Sequence, residues 1–81
     1  MRYYAYILQS KSIGTYYYGS AEDVGIRLKR HNAGKVRSTK SKRPWRLHYV
    51  EVFETRSEAY KRELFFKSVN GYKYLKGKGI I

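Results

Sequence analysis

Two short tyrosine-rich segments near the start of the sequence limit the fold more than any other feature. Residues 3–9 read YYAYILQ, residues 15–19 read TYYYG, and the polar stretch between them contains Gly14. Aromatic and aliphatic runs favour strands, and a short polar connection with glycine favours a reversal, so the segments predict an antiparallel hairpin. With a four-residue loop over residues 10–13, Tyr6 lies directly opposite Tyr17, and their rings share one face.

A helix is predicted directly after this hairpin. Ser20 and Asp23 have the spacing of a capping box, in which a serine side chain accepts the backbone N–H three residues later. Apolar residues recur at helical spacing from there, and the glycine-containing segment 32–34 favours a helix end. Arg27 and His31 are four residues apart and share one face of this helix.

The segment that follows the first helix is rich in lysine and arginine. Residues 35–43 (KVRSTKSKR) contain no acidic residue and no apolar periodicity, and Pro44 follows them. We expect an extended, mobile loop whose ligand is phosphate. Its candidate nucleic-acid-binding residues are Lys35, Arg37, Lys40, Lys42 and Arg43.

The last part of the chain predicts a third strand and further helix. Residues 46–54 (RLHYVEVFE) alternate as a strand, although the phase is ambiguous. Thr55 and Glu58 form a second capping-box pattern that begins a helix, on which the spacing turns Glu63 inward. Asn70-Gly71 is a turn signal, and residues 72–76 form a short final helical turn before a frayed tail.

These segments predict one α+β domain over residues 1–81. A small three-stranded antiparallel sheet is flanked by helices in the order β-β-α-β-α-(α). The sequence has no cysteine, and it has no apolar run long enough for a signal peptide or membrane span, so we expect a cytoplasmic protein.

Net charge indicates the partner. The 18 lysines and arginines outnumber six carboxylates and give a formal charge of +12. A chain this basic repels itself unless a polyanion is the normal partner, so nucleic acid, and DNA in particular, is expected. Nothing in the sequence predicts a membrane contact or a small-molecule cofactor, and the oligomeric state stays open.

The ordered set of motifs resembles the GIY-YIG nuclease family, and in particular small stand-alone members similar to the N-terminal catalytic module of the excinuclease. Tyr4-Ala5-Tyr6 stands where the family has Gly-Ile-Tyr, and Tyr17-Tyr18-Gly19 stands where it has Tyr-Ile-Gly. A helix with Arg27 and His31-Asn32 follows, and then a helix with Glu63. The chain departs from the pattern at Tyr4, which replaces the first glycine, and it offers only Asn70 as a loose counterpart of a later family asparagine.

The resemblance implies a metal-dependent endonuclease that hydrolyses phosphodiester bonds, with low sequence specificity or selectivity for DNA structure, and a setting in DNA repair. It implies the catalytic set Tyr6, Tyr17, Arg27, His31 and Glu63. Glu63 is the implied metal ligand, and because few carboxylates remain, a single Mg²⁺ or Mn²⁺ is more natural than a two-metal site. Which of Tyr6 and Tyr17 is the general base stays open.

Simpler interpretations remain beside these roles. Tyr6 and Tyr17 can be an ordinary cross-strand pair, Arg27 a solvated cation, His31 a structural histidine, and Glu63 an exposed partner of Lys67. Two functions follow: a metal-dependent endonuclease, or a non-catalytic basic protein that binds DNA or structured RNA. Loss of Mg²⁺-dependent nicking in Glu63→Ala distinguishes them.

Overall fold

The computed structural model describes residues 2–81 as a three-stranded antiparallel sheet with helices on both faces. The predicted α+β class and the order β-β-α-β-α-α are confirmed. In this part of the chain no helix is long and apolar enough to cross a bilayer. The strand order in the sheet is β2-β1-β3, and the elements are β1 (Tyr3–Ser10), β2 (Tyr16–Ala21), α1 (Val24–Asn32), a short 3-10 helix (Lys40–Lys42), β3 (Trp45–Phe53), α2 (Arg56–Phe66) and α3 (Val69–Gly77).

Strand β1 is the centre of the molecule. Residues 5–8 are all fully buried, which is the pattern of a strand covered on both faces. Ala5 and Ile7 pack against α2 and α3 on one face. Tyr6 and Leu8 pack on the other face against α1 and Trp45. The central strand therefore carries Tyr6 into the core on the α1 side.

The hairpin register differs from the predicted one by two residues. Leu8 pairs with Tyr17, and Tyr6 pairs with Gly19, so the expectation that Tyr6 faces Tyr17 directly is wrong. The loop begins after Ser10 and not at Ser10 as expected, because the Ser10 backbone N–H still pairs with the Thr15 carbonyl. A shift of two residues keeps every side chain on its face, so Tyr6 and Tyr17 remain diagonal neighbours on the same side.

Helix α1 begins later than expected. The Asp23 carboxylate caps it by accepting the Ile26 backbone N–H at 2.9 Å. Ser20 is not the cap, because it still belongs to β2, where it pairs with Ala5. The predicted end is confirmed: Gly34 has a φ of +76°, a left-handed conformation that suits glycine after a helix.

The phase of the third strand is ambiguous in the sequence because the strand contains a β-bulge. Ile7 pairs with Tyr49 and Leu8 pairs with Leu47, so His48 is one extra residue in β3. The extra residue reverses the alternation at that point. Leu47 therefore shares the α1 side of the sheet with Val50, whereas Tyr49 packs on the opposite side.

Helix α2 begins as predicted, whereas α3 does not. The Thr55 hydroxyl accepts the Glu58 backbone N–H at 3.1 Å, as the capping box requires. The predicted turn at Asn70-Gly71 is wrong, because both residues lie in the first turn of α3, which Ser68 caps. Gly71 is needed for close packing: a Cβ there would lie 1.7 Å from the Phe65 carbonyl oxygen.

Candidate nuclease site

Tyr6 forms the buried centre of the candidate site. Its ring lies across Gly19 of the neighbouring strand, where an added Cβ would lie 2.4 Å from the phenol oxygen. The phenol meets His31 Nε2 at 3.2 Å. Burial raises the pKa of Tyr6, and the positive charge of Arg27 opposes that rise. Tyr6 is therefore a neutral phenol held inside the protein at physiological pH.

His31 joins this phenol to the loop after α1. It lies in the last turn of the helix and is fully buried. Its Nδ1 lies 2.8 Å from the Thr39 hydroxyl, so both ring nitrogens have partners. Burial lowers the pKa of His31, and the charges of Arg27 and Arg30 lower it further. The imidazole is therefore neutral and hydrogen-bonded on both sides.

Tyr17 is the more accessible of the two motif tyrosines. It is half-buried, whereas Tyr6 has no exposed surface. Its ring centroid lies 4.8 Å from that of His31 and 6.5 Å from that of Tyr6. Both tyrosines and the histidine therefore form one cluster, in which only the Tyr17 side chain reaches the surface.

Arg27 lies one helical turn before His31, so its guanidinium reaches the same cluster. The side chain is half-buried, and its Nε is buried without a hydrogen-bond partner among the described residues. Its charge acts on the pKa of both Tyr6 and His31, which places it beside them. An unpartnered buried donor on a cation is costly unless an anion accepts from it.

Glu63 approaches the cluster from α2. One carboxylate oxygen accepts the Ser20 hydroxyl at 2.7 Å, and the other contacts Lys67 Nζ at 2.8 Å. Its side chain is 13% exposed, so Glu63 turns inward as predicted; it also pairs with Lys67, but the interpretation of Glu63 as an exposed partner is wrong. Its negative charge contributes to the raised pKa of Tyr6, which places it near the other candidates.

The donor set restricts the kind of metal site. Within residues 2–81 there is no group of three His, Cys, Asp or Glu side chains that could hold an ion. Glu63 offers one carboxylate, a hard oxygen donor that fits Mg²⁺ or Mn²⁺ held mainly by waters and substrate phosphate. An ion there would replace the Lys67 ammonium as the charge partner of Oε2. Glu63 therefore fits a single divalent ion and not a two-metal centre.

The basic segment is folded, and the expectation of an extended, mobile loop is wrong. It contains the short 3-10 helix, and Asn32 closes it by pairing with both backbone groups of Trp45, at 2.6 and 2.9 Å. Trp45 is buried, and its indole N–H donates to the Thr39 carbonyl at 2.9 Å. These long-range contacts give the loop a fixed shape that composition alone does not reveal.

The predicted phosphate-binding cations of that segment all lie on the surface. The Arg43 guanidinium already uses part of its hydrogen-bonding capacity, since it donates to the Lys40 and Asn32 carbonyls at 2.8 and 3.4 Å. The full exposed set is Lys35, Arg37, Lys40, Lys42 and Arg43. The folded segment therefore presents these cations from a stable framework next to the end of α1.

Two residues that support the site are not identified by the sequence pattern. Thr39 has no distinct role in a basic loop, but it is 1% exposed and bonded to His31. Ser20 fits a helix cap in the sequence, but in the structure it holds Glu63. No local signal marks either role, because each residue is separated from its partner in the sequence and meets it only in the packed fold. Asn70 lies exposed on α3, and its suggested role stays a prediction.

Helices cover both faces of the sheet, and the fold brings together two motif tyrosines, an arginine, a histidine and a glutamate. This is the architecture expected of a GIY-YIG domain. The chain belongs to that family: residues 2–75 match the model of the GIY-YIG catalytic domain. The resemblance drawn from the sequence is confirmed. The family is one of nucleases, and its substrate is nucleic acid.

Within this family the chain is similar to UPF0213 proteins. It is 42% identical over 76 residues to one from Staphylococcus saprophyticus, covering 93% of this chain and 92% of that relative. It is 41% identical over 75 residues to one from Staphylococcus aureus, covering 91% and 90%. The solution NMR structure of the UPF0213 protein from Bacillus halodurans has 34% identity and a TM-score of 0.54, covering 95% of this chain and 84% of that one.

Proposed function

We propose that this domain is a divalent-metal-dependent endonuclease that hydrolyses phosphodiester bonds in DNA, with low sequence specificity or selectivity for DNA structure, and that it serves DNA repair or recombination. The observation that carries the proposal is Arg27. Its buried Nε has no hydrogen-bond partner among residues 2–81 and lies beside the cluster of Tyr6, Tyr17 and His31, in a chain of net charge +12.

Arg27 is suited to hold the scissile phosphate. A guanidinium presents several N–H donors in a fixed plane, and a phosphate accepts two of them at once. A phosphate oxygen at Nε would satisfy the donor that the described residues leave without a partner. The same charge would stabilise the negative charge that develops on the phosphate oxygens during cleavage.

The two tyrosines take different roles in this proposal because their exposure differs. Tyr6 is fully buried and hydrogen-bonded to His31, so it positions the site and does not reach the attacking water. Tyr17 is half-buried at the surface end of the cluster, so it is the tyrosine whose phenolate takes the proton from the attacking water and becomes the phenol. Positive charge near a tyrosine stabilises its phenolate. Arg27 and Lys67 supply positive charge on that side of the protein.

Glu63 would hold the divalent ion, Mg²⁺ or Mn²⁺. When bound, such an ion polarises the phosphate and neutralises charge on the leaving oxygen. Ser20 orients the carboxylate through its hydroxyl, and Lys67 balances the carboxylate charge on the other oxygen. His31 is neutral and has both nitrogens occupied, so it acts on the reaction through Tyr6.

Glu63→Gln tests the proposal on supercoiled plasmid and on branched DNA, with Mg²⁺ or Mn²⁺ and with chelator. Loss of an ion that stabilises the transition state by several kcal/mol lowers nicking by at least about 100-fold. Because the basic segment is untouched, DNA affinity should stay nearly unchanged. Glu54→Gln is the matched control, since Glu54 is an exposed carboxylate away from the cluster.

The second candidate is a non-catalytic nucleic-acid binder, and the Glu63–Lys67 ion pair at 2.8 Å favours it because the carboxylate already has a cation. Both functions predict binding that weakens with salt. If highly purified protein nicks neither DNA nor RNA with either metal, the endonuclease proposal fails and the binder stands. A marked preference for structured RNA would indicate that this binder acts on RNA and not on DNA.

A further inference from the structure

Thr39 occupies an unusual position for a residue of a basic loop. It is 1% exposed, and its hydroxyl lies 2.8 Å from His31 Nδ1 and 3.2 Å from the Val36 carbonyl oxygen. Its own carbonyl accepts the indole N–H of Trp45 at 2.9 Å. The residue therefore connects the folded basic segment directly to the histidine that holds Tyr6.

The direction of these hydrogen bonds depends on which groups can donate a proton and which can only accept one. The Thr39 hydroxyl has one proton, and when it donates that proton to the Val36 carbonyl, which can only accept, none remains for His31 Nδ1. The Thr39 oxygen then accepts from His31 Nδ1–H, which leaves Nε2 as the acceptor for the Tyr6 hydroxyl. The opposite tautomer would make Tyr6 accept from Nε2–H and would turn the Tyr6 proton away from His31.

Arg27 makes that opposite arrangement unfavourable. It is the cation whose charge acts most strongly on Tyr6, so a phenol proton turned away from His31 would meet positive charge. With the proton donated to His31, the Tyr6 oxygen offers lone pairs to its other neighbours. The orientation of the phenol therefore depends on the tautomer of His31, and the tautomer depends on the bond at the other ring nitrogen.

We propose that Thr39 is a positioning residue: its hydroxyl fixes His31 as the Nδ1–H tautomer, so that the Tyr6 phenol donates to His31 and keeps its oxygen lone pairs available on the Arg27 side. The effect of Thr39 on catalysis rests on the proposed nuclease function. Because Thr39 belongs to the segment that carries the phosphate-binding cations, the same loop fixes both the DNA contacts and the geometry of the buried tyrosine.

Nitrogen–proton correlation spectra of the histidine rings at neutral pH test the inference without substrate. The wild-type protein and Thr39→Ser should show His31 protonated at Nδ1 only. Thr39→Val, which has a similar shape and no hydroxyl, should show a mixture of tautomers or the Nε2–H form. The Trp45 bond to the Thr39 backbone survives both changes, so the loop stays in place. An Nε2–H wild-type ring, or an unchanged ring in Thr39→Val, overturns the proposal.

Nicking kinetics give the second measurement. Thr39→Val should lower kcat roughly 10- to 100-fold, the range seen when the hydrogen-bond partners of metal-ligating histidines are removed, with little change in KM. Thr39→Ser should restore kcat, and Thr15→Val, at an exposed threonine, should match wild type. A kcat for Thr39→Val equal to wild type, or no rescue by serine, refutes the positioning role.

The two measurements also keep the hypotheses apart. If the wild-type protein has no nuclease activity, the proposed function fails, and the ring spectra still decide whether Thr39 sets the tautomer. If Thr39→Val does not fold, the wild-type and Thr39→Ser spectra decide it. Retained Nδ1–H in both supports the inference, and any other form contradicts it.

Discussion

Gly19→Ala is the substitution that tests the buried tyrosine most directly. In the structure, a Cβ at Gly19 would lie 2.4 Å from the Tyr6 phenol oxygen, 2.5 Å from Cζ and 3.0 Å from Cε2. Non-bonded heavy atoms prefer separations of about 3.5–4.0 Å, so the ring must move by about 1 Å. The Tyr6–His31 bond is already 3.2 Å long, and a movement of that size breaks it.

The cost follows from these two effects. Forcing an extra carbon into a packed core costs about 1–3 kcal/mol, and a lost hydrogen bond adds about 1 kcal/mol. We therefore expect Gly19→Ala to lose at least about 2 kcal/mol, which lowers the Tm by about 8 °C or more for a domain of this size. If the tyrosine also orients the site, a displacement of about 1 Å lowers kcat by about 100-fold.

Thermal and urea unfolding followed by circular dichroism, together with plasmid nicking, measure both effects. Gly77→Ala is the matched control, since an added Cβ at this residue in the last turn of α3 meets nothing within 4 Å. It should leave nicking unchanged and be neutral or more stable by up to about 1 kcal/mol. A Gly19→Ala protein within about 0.5 kcal/mol of wild type and with normal nicking would refute the packing argument, because that is the range of ordinary surface changes.

Three further predictions concern the histidine and the basic segment. The pKa of His31 is lowered in the folded state, so the unfolded chain binds the proton first as the pH drops. The free energy of unfolding should therefore fall between a pH of about 6.5 and the lowered pKa. That pH dependence should weaken in His31→Gln, as urea titrations across this range would show, and an unchanged slope would contradict it. Asn32→Ala removes both bonds to Trp45 and should cost about 1–3 kcal/mol; limited trypsin digestion should cut faster at Arg37 and Lys40, and equal rates would argue against the anchor. Arg37→Ala with Lys40→Ala should weaken DNA binding and reduce the salt slope by about 0.9 for each phosphate that is no longer neutralised, measured by fluorescence anisotropy; an unchanged slope would exclude these cations from the DNA interface.

The sequence by itself determined the local elements and the general chemistry. Alternation and aromatic content located the strands, and the Thr55 capping box located α2, because these signals depend on neighbours within a few residues. The charge of +12 indicated a polyanion without reference to any fold. The helical spacing of Arg27 and His31 was also local, which is why their shared face could be read from sequence.

Only the tertiary structure decided how the site is held together. Ser20 is far from Glu63 in the sequence, so its local capping pattern could not reveal that its hydroxyl supports that carboxylate. Thr39 is buried because Trp45 and His31 enclose it, and Gly71 is required because α3 closes against the Phe65 carbonyl. A buried polar group takes whichever partner the packed fold brings near, and sequence periodicity does not record that choice. The two tyrosine-rich segments could thus be located from sequence, but packing alone made Tyr6 the buried phenol and Tyr17 the accessible one.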